Sequence, residues 1–354
     1  MNAPSLNPCP VAISIDTNCD RAAWDAYVGA HAEGTFFHLS GWGAAALRAY
    51  KYETHHITAR RGDEIVGVLA LCDVRSPLLG RSLVSTAFSV GGGPLADDDE
   101  ARSALIDAAV YLAESERIKH IECRTLVTAN HWREKAQTHA RFAMPLIKDD
   151  ADALAAIPRK RRAEIRKTIE AADQGELVIR FDRDLDVFYA LYAKSLRRLG
   201  TPVFPRSFLD ALSNEFSDRF EVAIADYAGA PVAALVSFYF RDTVLPYYVG
   251  ASDKARQSRA FDFLYWSIMR RAAAKGMAVF DFGRSKIDSG AYAYKKLWGI
   301  EPAPLTYSIR PVAASSVPNV SPTNPKFALF SSLWPRLPLS VTNRLGPILA
   351  PNFP

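Results

Sequence analysis

Short runs of alternating apolar and polar residues cover most of the chain and predict a succession of helices and strands. In the first half, Trp24 and Trp42 mark the apolar faces of two predicted helices, and a Gly62-Asp63 turn joins the strands of a predicted hairpin. The elements predicted after it are a strand at 81–90, a helix at 99–117, a strand at 120–125, a short helix near Trp132 and a strand ending near Ile147. This order predicts a sheet with flanking helices.

The second half repeats the same order of elements. It contains a basic helix at 158–173, a strand at 176–181, helices at 184–199 and 205–216, a hairpin turning at Gly229, a strand at 243–250, a helix at 260–275, a strand at 278–282, a short helix at 292–297 and a strand at 305–310. The repeat predicts an α+β chain of two tandem domains, 1–150 and 151–310, each a mixed, mostly antiparallel sheet with flanking helices. A Pro-rich tail, 311–354, follows.

The tail region differs from the rest in composition. Residues 302–354 hold half of the 22 prolines and no acidic residue, and aromatic side chains recur in them. One interpretation is a segment that packs over the body of the protein. The other is an interfacial segment, 324–345, that makes peripheral contact with a membrane, because aromatic residues with scattered Arg and Lys suit that boundary.

The charge is local rather than general. The formal net charge is +5, and most of the excess lies in the acid-free residues from Arg310 onward, so the body is almost neutral. Cations concentrate at 159–167, 254–259 and 284–296. This distribution favours a localised anionic ligand over general polyanion binding.

Cysteine usage and apolar runs bear on compartment. The four cysteines show no C-x-x-C spacing and no accompanying His cluster, which predicts free thiols and no metal site. No apolar run reaches membrane-spanning length, and the first residues lack the pattern of a signal peptide. The sequence therefore predicts a cytoplasmic protein, positioned in one interpretation at the inner face of the cytoplasmic membrane.

The element order resembles that of the GNAT acyltransferase fold. In that fold two central strands splay apart, and a helix N-terminus beside the gap offers N–H groups and positive dipole to a pyrophosphate. Here that helix begins near Ala260, and the loop at 251–259 brings Lys254, Arg256 and Arg259 to it. Cations disfavour a helix N-terminus, so a bound anion would relieve them. The alternative is a solvated loop, and the paired glycines of the usual GNAT phosphate loop are absent.

Six longer stretches carry a more specific resemblance. They are Phe-Asp-Phe-Gly-Arg-Ser-Lys at 280–286, Tyr-Lys-Lys-Leu-Trp-Gly at 294–299, Arg-Arg-Leu-Gly-Thr-Pro-Val-Phe-Pro at 197–205, Leu-Pro-Tyr-Tyr-Val-Gly at 245–250, Pro-Arg-Lys-Arg-Arg at 158–162 and Trp-Pro-Arg-Leu-Pro-Leu at 334–339. Over nearly the whole chain they resemble the FemAB-like branch of the GNAT superfamily, most closely the FemAB-related family associated with PEP-CTERM/exosortase systems. Two departures are Ile-Asp-Ser-Gly at 287–290, where Gly-Thr-Gly is usual, and Tyr294 in place of Phe.

The resemblance implies two tandem GNAT-like domains, including a BioF2-like acetyltransferase domain. The implied activity is acyl or aminoacyl transfer to an amine of a cell-envelope or exopolysaccharide precursor. Acyl-CoA or aminoacyl-tRNA is the implied donor co-substrate, with no permanently bound cofactor, and the acceptor is an anionic small molecule or a lipid-linked substrate. The alternative is a non-catalytic protein of the same machinery that holds a lipid-linked or phosphorylated glycan.

Four residues are candidates for catalysis. Lys295 matches the lysine that Fem-type enzymes use at the acyl-transfer centre, where an ammonium would stabilise an oxyanion. Asp281 lies inside a predicted strand and is either a general base or an anchor for Arg284. Tyr247 and Tyr248 lie on the strand that should line the cleft, and alternation sends only one of them inward.

Cationic residues are the candidates for phosphate binding. Arg284 and Lys286 follow the fifth strand and would bind a diphosphate, or form ion pairs with neighbouring acids. Arg197 would contact an acceptor phosphate or form a surface salt bridge. Arg159 and Arg162 share a face of the basic helix, which would line a groove for a tRNA donor or a lipid-diphosphate acceptor, or would be a solvated face.

Overall fold

A computed structural model describes residues 10–76, 80–312 and 325–352 of the 354-residue chain. Cys9, one of the four cysteines, and Asn324, the first residue of the predicted interfacial segment, lie outside the described residues. The described chain divides into two compact units. The first unit comprises 10–136 and 306–312, and the second comprises 137–305 and 325–352.

The first unit is built from a sheet and three helices. Its elements in chain order are β1 (Ala12–Asp16), α1 (Arg21–Ala30), α2 (Ser40–Tyr50), β2 (Thr54–Arg61), β3 (Glu64–Ser76), β4 (Gly80–Ser85), β5 (Leu95–Ala96), α3 (Asp99–Ser115) and β6 (His120–Cys123). Strands β1 to β4 form an antiparallel meander, and β6 adds to β4 in parallel. Helix α3 begins where the Asp98 side chain accepts a hydrogen bond from the Ala101 N–H, and its apolar side covers the sheet.

The second unit follows the same plan. Its elements are β7 (Arg133–Pro145), α4 (Asp150–Ala156), α5 (Arg159–Asp173), β8 (Leu177–Asp182), α6 (Leu185–Arg198), α7 (Arg206–Glu215), β9 (Phe220–Tyr227), β10 (Ala230–Phe240), β11 (Thr243–Ala251), α8 (Lys254–Gln257), α9 (Ala260–Ala274), β12 (Val279–Lys286), α10 (Gly290–Lys296), α11 (Pro325–Leu333) and α12 (Leu339–Leu349). Strand β13 (Ala303–Pro311) belongs to the first unit from Thr306 onward. Strands β8 to β11 form an antiparallel meander, and β12 pairs with β11 in parallel. Every residue of β10 at 232–240 is buried, because helices cover both faces of this central strand.

These observations confirm the predicted α+β class with mixed, mostly antiparallel sheets. The units nevertheless differ from the predicted boundaries in two strands. Strand β7, expected to close the first half, pairs with β12 of the second unit from His139 to Pro145. Strand β13, expected to close the second half, pairs with β6 of the first unit from Ser308 to Pro311. The short helix expected near Trp132 is a turn.

Candidate active site in the second unit

The central feature of the second unit is a gap between two parallel strands. Strands β11 and β12 pair at two positions, Thr243 with Val279 and Val244 with Phe280. Beyond them, β11 continues to Ala251 beside β10, while β12 continues beside β7. The described residues give no further pair between the two strands, so their facing backbone groups are left for water or a ligand.

Strand β11 carries a β-bulge beside this gap. Val236 of β10 lies opposite Tyr248 and Ser237 lies opposite Pro246, which leaves Tyr247 as the extra residue. Tyr248 is 6% exposed, and its ring packs against Tyr192 with centroids 5.7 Å apart. Tyr247 is only half-buried, so it is the more accessible of the two predicted tyrosines.

A buried serine at the same bulge escaped the sequence analysis. The Ser237 side chain is 2% exposed, and its hydroxyl has no hydrogen-bond partner among the described residues. A buried polar group without a partner is uncommon in folded proteins and calls for an explanation. No local signal distinguishes Ser237 from its neighbours, because serine is common in strands and the bulge arises from pairing with β11.

Strand β12 carries a second bulge, which Asp281 fixes. Asp281 lies opposite Ala143 and Gly283 lies opposite Phe142, which leaves Phe282 as the extra residue. Gly283 has φ +67°, a left-handed conformation that glycine adopts without a steric cost. The Asp281 carboxylate accepts a hydrogen bond from the Gly283 N–H at 2.8 Å and thereby holds this turn.

The other Asp281 oxygen binds an arginine that the sequence analysis did not single out. The Arg141 Nε and Nη2 atoms both lie 2.8 Å from Asp281 Oδ2. Arg141 belongs to β7, so nothing local in the sequence pairs it with Asp281. The anchor prediction named Arg284, but the arginine recorded on Asp281 is Arg141, and the general-base role stays a prediction.

Lys295 holds the same bulge from the other side. It is 7% exposed, and its Nζ donates to the Phe282 carbonyl at 2.6 Å, the Arg284 carbonyl at 3.0 Å and, more weakly, the Gly283 carbonyl at 3.3 Å. Burial lowers the pKa of Lys295 to about 8, and the nearby Asp281 carboxylate opposes that shift. Lys295 is therefore a positioning residue for β12 in this structure, and a direct catalytic role stays a prediction.

The lowered pKa predicts that stability depends on pH through Lys295. The folded pKa is about 8 and the ordinary value is 10.5, so the unfolded chain binds this proton more tightly over that interval. Stability must therefore rise with pH there, by roughly 3 kcal/mol across the whole interval. We expect the free energy of unfolding of the wild type, relative to Lys295→Met, to increase by this amount between pH 8 and pH 10.5. Urea unfolding at several pH values measures it. The exposed Lys296→Met variant keeps Lys295 and should therefore show the same pH dependence as the wild type.

Two cationic segments that lie far apart in sequence meet in this unit. The Arg161 side chain donates to Asp262 at 2.6 Å, and Arg259 Nε donates to Glu164 at 2.7 Å. These contacts hold α5 against the first turn of α9. Exposed cations of both segments form what we call the cationic surface, which comprises Arg159, Lys160, Arg166, Lys167, Lys254, Arg256 and Arg259. Arg162, also predicted to bind phosphate, is half-buried and donates to the Ala155 carbonyl at 3.2 Å.

Arg161 is the buried centre of this arrangement. Its guanidinium lies 4.5 Å from the centre of the Tyr294 ring and 4.7 Å from that of Trp298. The Tyr294 hydroxyl also donates to Asp262, at 3.0 Å. A signal for this role exists in the sequence, because Arg161 precedes the buried Ile165 by four residues and shares its helix face.

The remaining predicted residues lie in different surroundings. Arg284 is half-buried and Lys286 is exposed, both on the segment of β12 that Lys295 and Asp281 hold. Arg197, near the C-terminus of α6, donates to the Leu337 carbonyl at 2.8 Å. The recorded partner of Arg197 is thus the backbone of the chain's own C-terminal region.

Comparisons with known proteins agree with this geometry. Residues 159–296 match the family model described as an acetyltransferase (GNAT) domain. No curated protein matches the chain in sequence. Among solved structures, FemX aligns with a TM-score of 0.67 at 15% identity, over 83% of this chain and 96% of that one.

Two further solved structures share the fold at lower similarity. L-PGS from Bacillus licheniformis aligns with a TM-score of 0.54 at 13% identity, over 83% of this chain and 93% of that one. A tandem GNAT protein from the clavulanic acid biosynthesis pathway aligns with a TM-score of 0.52 at 12% identity, over 86% and 100%. Residues 159–296 therefore match a GNAT-type acetyltransferase domain, in a chain whose fold is similar to that of FemX and of a tandem GNAT protein.

Proposed function

We propose that this protein is an acyl- or aminoacyltransferase of the FemAB/GNAT type, acting on an amine of a cell-envelope or exopolysaccharide precursor. The observation that carries the proposal is the gap between β11 and β12 beside the first turn of α9. The acetyltransferase family match over 159–296 supports the reaction class. The envelope or exopolysaccharide acceptor rests on the resemblance of the sequence motifs to the FemAB-related family.

The start of α9 suits an anionic donor. Among the described residues no side chain caps this helix. The Asp262 N–H donates to the Arg259 carbonyl, so a ligand would meet the N–H groups before it together with the positive end of the dipole. The first-turn acid, Asp262, is paired with Arg161, which offsets its charge. Phosphate groups of acyl-CoA, or the backbone of an aminoacyl-tRNA, would bind here and along the cationic surface.

The corresponding helix of the first unit does not suit an anion. Helix α3 is capped by the Asp98 side chain, and Asp99 and Glu100 occupy its first turn. Arg61 pairs with two of these three carboxylates, Asp98 and Glu100, but the net charge at this end stays negative and disfavours a phosphate. We therefore assign the donor to the second unit.

The transfer step follows from the groups around the gap. The acceptor amine attacks the donor carbonyl, and a tetrahedral oxyanion forms. Backbone N–H groups of the β11 bulge would stabilise that oxyanion, because the bulge removes them from regular pairing. An amide bond forms as the bond to the leaving group breaks, and the amine loses one proton in the process.

Proton transfer completes this scheme. Tyr247 is the less buried of the two tyrosines, and its hydroxyl would protonate the departing thiolate or ribose oxygen. Asp281 already accepts hydrogen bonds on both oxygens, so a phosphate of the substrate is the better acceptor for the amine proton. Tyr247 then regains its proton from solvent.

Donor binding tests the proposal. We expect the double variant Lys254→Glu/Arg256→Glu to bind acetyl-CoA at least about tenfold more weakly than the wild type in calorimetric titration, because two attractive charges become repulsive. The exposed Lys194→Glu on α6 is the matched control and should leave the affinity within about twofold. If acetyl-CoA does not bind the wild type, the same comparison with a charged tRNA mixture in filter binding decides between the donors. Failure of both ligands to bind would overturn the proposal.

A non-catalytic binding protein is the second candidate, and one observation favours it. Asp281 and Lys295 are both fully engaged in holding the backbone of β12, which leaves them without a free proton-transfer function. Single-turnover incubation with labelled donor and an amine-bearing acceptor separates the two functions. Donor that is bound but never consumed, with any acceptor from the envelope fraction, assigns the protein to binding.

A further inference from the structure

Helix α12 buries small residues and exposes large aliphatic ones, the opposite of the usual pattern in a surface helix. Its residues facing the protein are small, Thr342, Gly346 and, directly after the helix, Ala350, and all three are buried. Large aliphatic residues face outward instead, with Leu345 41% exposed and Ile348 69% exposed. An amphipathic helix normally buries its large apolar side chains. This inversion indicates that something else covers the outer side.

The outward residues of α12 form one stripe. Positions 341, 344, 345 and 348 follow the spacing i, i+3, i+4, i+7, so they share one side of the helix. Three of the four are aliphatic, and the fourth, Arg344, is exposed. The stripe is therefore apolar with a single cation in it.

The neighbouring helix α11 adds to the exposed apolar area. Leu329 is 61% exposed and Leu333, one turn later, is 45% exposed. Leu199, at the end of α6, is 69% exposed and precedes Gly200, which approaches α11 so closely that a Cβ there would lie 2.4 Å from the Ser331 carbonyl oxygen. We call Leu199, Leu329, Leu333, Leu345 and Ile348 the outer apolar surface.

The concentration of these residues is unusual. In the described residues, eleven large hydrophobic side chains are exposed, and five of them belong to the outer apolar surface. Scattered exposed hydrophobics are normal, whereas clustered ones mark interaction sites.

The charges near the outer apolar surface favour an anionic bilayer over a protein partner. No acidic residue occurs at 302–354, and Arg336 and Arg344 lie among the exposed apolar residues. A protein partner requires no such exclusion of acids, whereas an anionic bilayer repels every carboxylate near it and attracts each Arg. Arg also buries its apolar stem while its charged head stays at phosphate level.

The lengths of the helices fix the manner of contact. No helix in the part of the chain that the structure describes is long and apolar enough to cross a bilayer. Helices α11 and α12 have 9 and 11 residues, which suits helices lying in the plane of the interface. We propose that the outer apolar surface docks the second unit onto the surface of an anionic lipid bilayer. This inference does not depend on the proposed transferase activity.

Vesicle binding of the full chain tests the proposal. We expect the protein to float with vesicles of one part phosphatidylglycerol to three parts phosphatidylcholine at low salt, and to bind pure phosphatidylcholine at least tenfold more weakly. Leu345→Gln/Ile348→Gln should lower the partition coefficient at least tenfold, because two aliphatic side chains no longer enter the interface. Arg344→Gln should weaken binding about fivefold and reduce its sensitivity to salt.

A control in the first unit keeps the result specific. Tyr111 is 69% exposed and lies on α3, so Tyr111→Gln should leave the partition coefficient unchanged. The substituted side chains are exposed, so circular dichroism melts of all variants should coincide with the wild type. Lack of flotation with anionic vesicles would overturn the proposal, and so would equal losses in Tyr111→Gln. A concentration-dependent dimer that Leu345→Gln/Ile348→Gln abolishes, in light scattering without lipid, would assign the surface to a second copy of the chain instead.

Discussion

Replacement of Arg161 by Met should lower the free energy of unfolding of the second unit by about 3–5 kcal/mol. Arg161 and Asp262 form a buried ion pair at 2.6 Å, with side chains only 7% and 12% exposed. Removal of the guanidinium leaves the Asp262 carboxylate buried with the Tyr294 hydroxyl as its recorded side-chain donor. The cation–π contacts with Tyr294 and Trp298 are lost as well.

Urea unfolding followed by tryptophan fluorescence and circular dichroism measures this change. Arg166→Met is the matched control, because Arg166 is exposed on the same helix and should change stability by less than about 0.5 kcal/mol. Addition of Asp262→Asn to Arg161→Met removes the orphaned charge and should recover part of the loss. An Arg161→Met protein as stable as the control would show that the pair does not hold α5 to α9.

Replacement of Lys295 by Met should reduce acyl transfer by about 10²- to 10³-fold, comparable to the removal of one transition-state hydrogen-bond donor. The three carbonyls that Lys295 binds belong to the bulge of β12, so loss of the Nζ donor frees the backbone that carries Arg284 and Lys286. A shift of about 1 Å in a binding residue is enough for an effect of this size.

Steady-state kinetics with the donor identified by binding measures this effect. Lys296→Met, a change at the next residue but on an exposed side chain, should retain full activity. If Lys295 positions β12 only, the variant should lose donor affinity along with rate. If it touches the oxyanion, kcat should fall while KM stays constant. Full activity in Lys295→Met would contradict both roles.

The sequence was most informative where the determinants are local. Apolar periodicity predicted the central helices α3, α6 and α9, since each buries one face of a continuous stretch. Turn glycines at Gly62 and Gly229 predicted both hairpins for the same reason. The motif at 280–286 identified the segment that the structure shows as β12 and its bulge.

Features set by distant partners were not predictable in this way. The sequence of β7 contains no local signal for its partner strand, so it could not assign β7 to β12 of the second unit. The contact between Arg141 and Asp281 depends on that pairing and was missed with it. The cationic segments at 159–167 and 254–259 are far apart in the sequence. In the structure, the Arg161–Asp262 and Arg259–Glu164 ion pairs bring them together.

By itself, the sequence determined the α+β class and the repeated order of elements, because short-range periodicity and turn chemistry encode them. The resemblance of its motifs to a known family indicated the GNAT-like segment. Only the tertiary structure decided which strands pair with each other. It also showed that Lys295 and Asp281 form hydrogen bonds with the backbone of β12, and that the large aliphatic residues of α12 face outward. These depend on side chains and strands far apart in the chain. The free energies of these contacts depend on burial and strand pairing in the folded state, which a local sequence pattern does not predict.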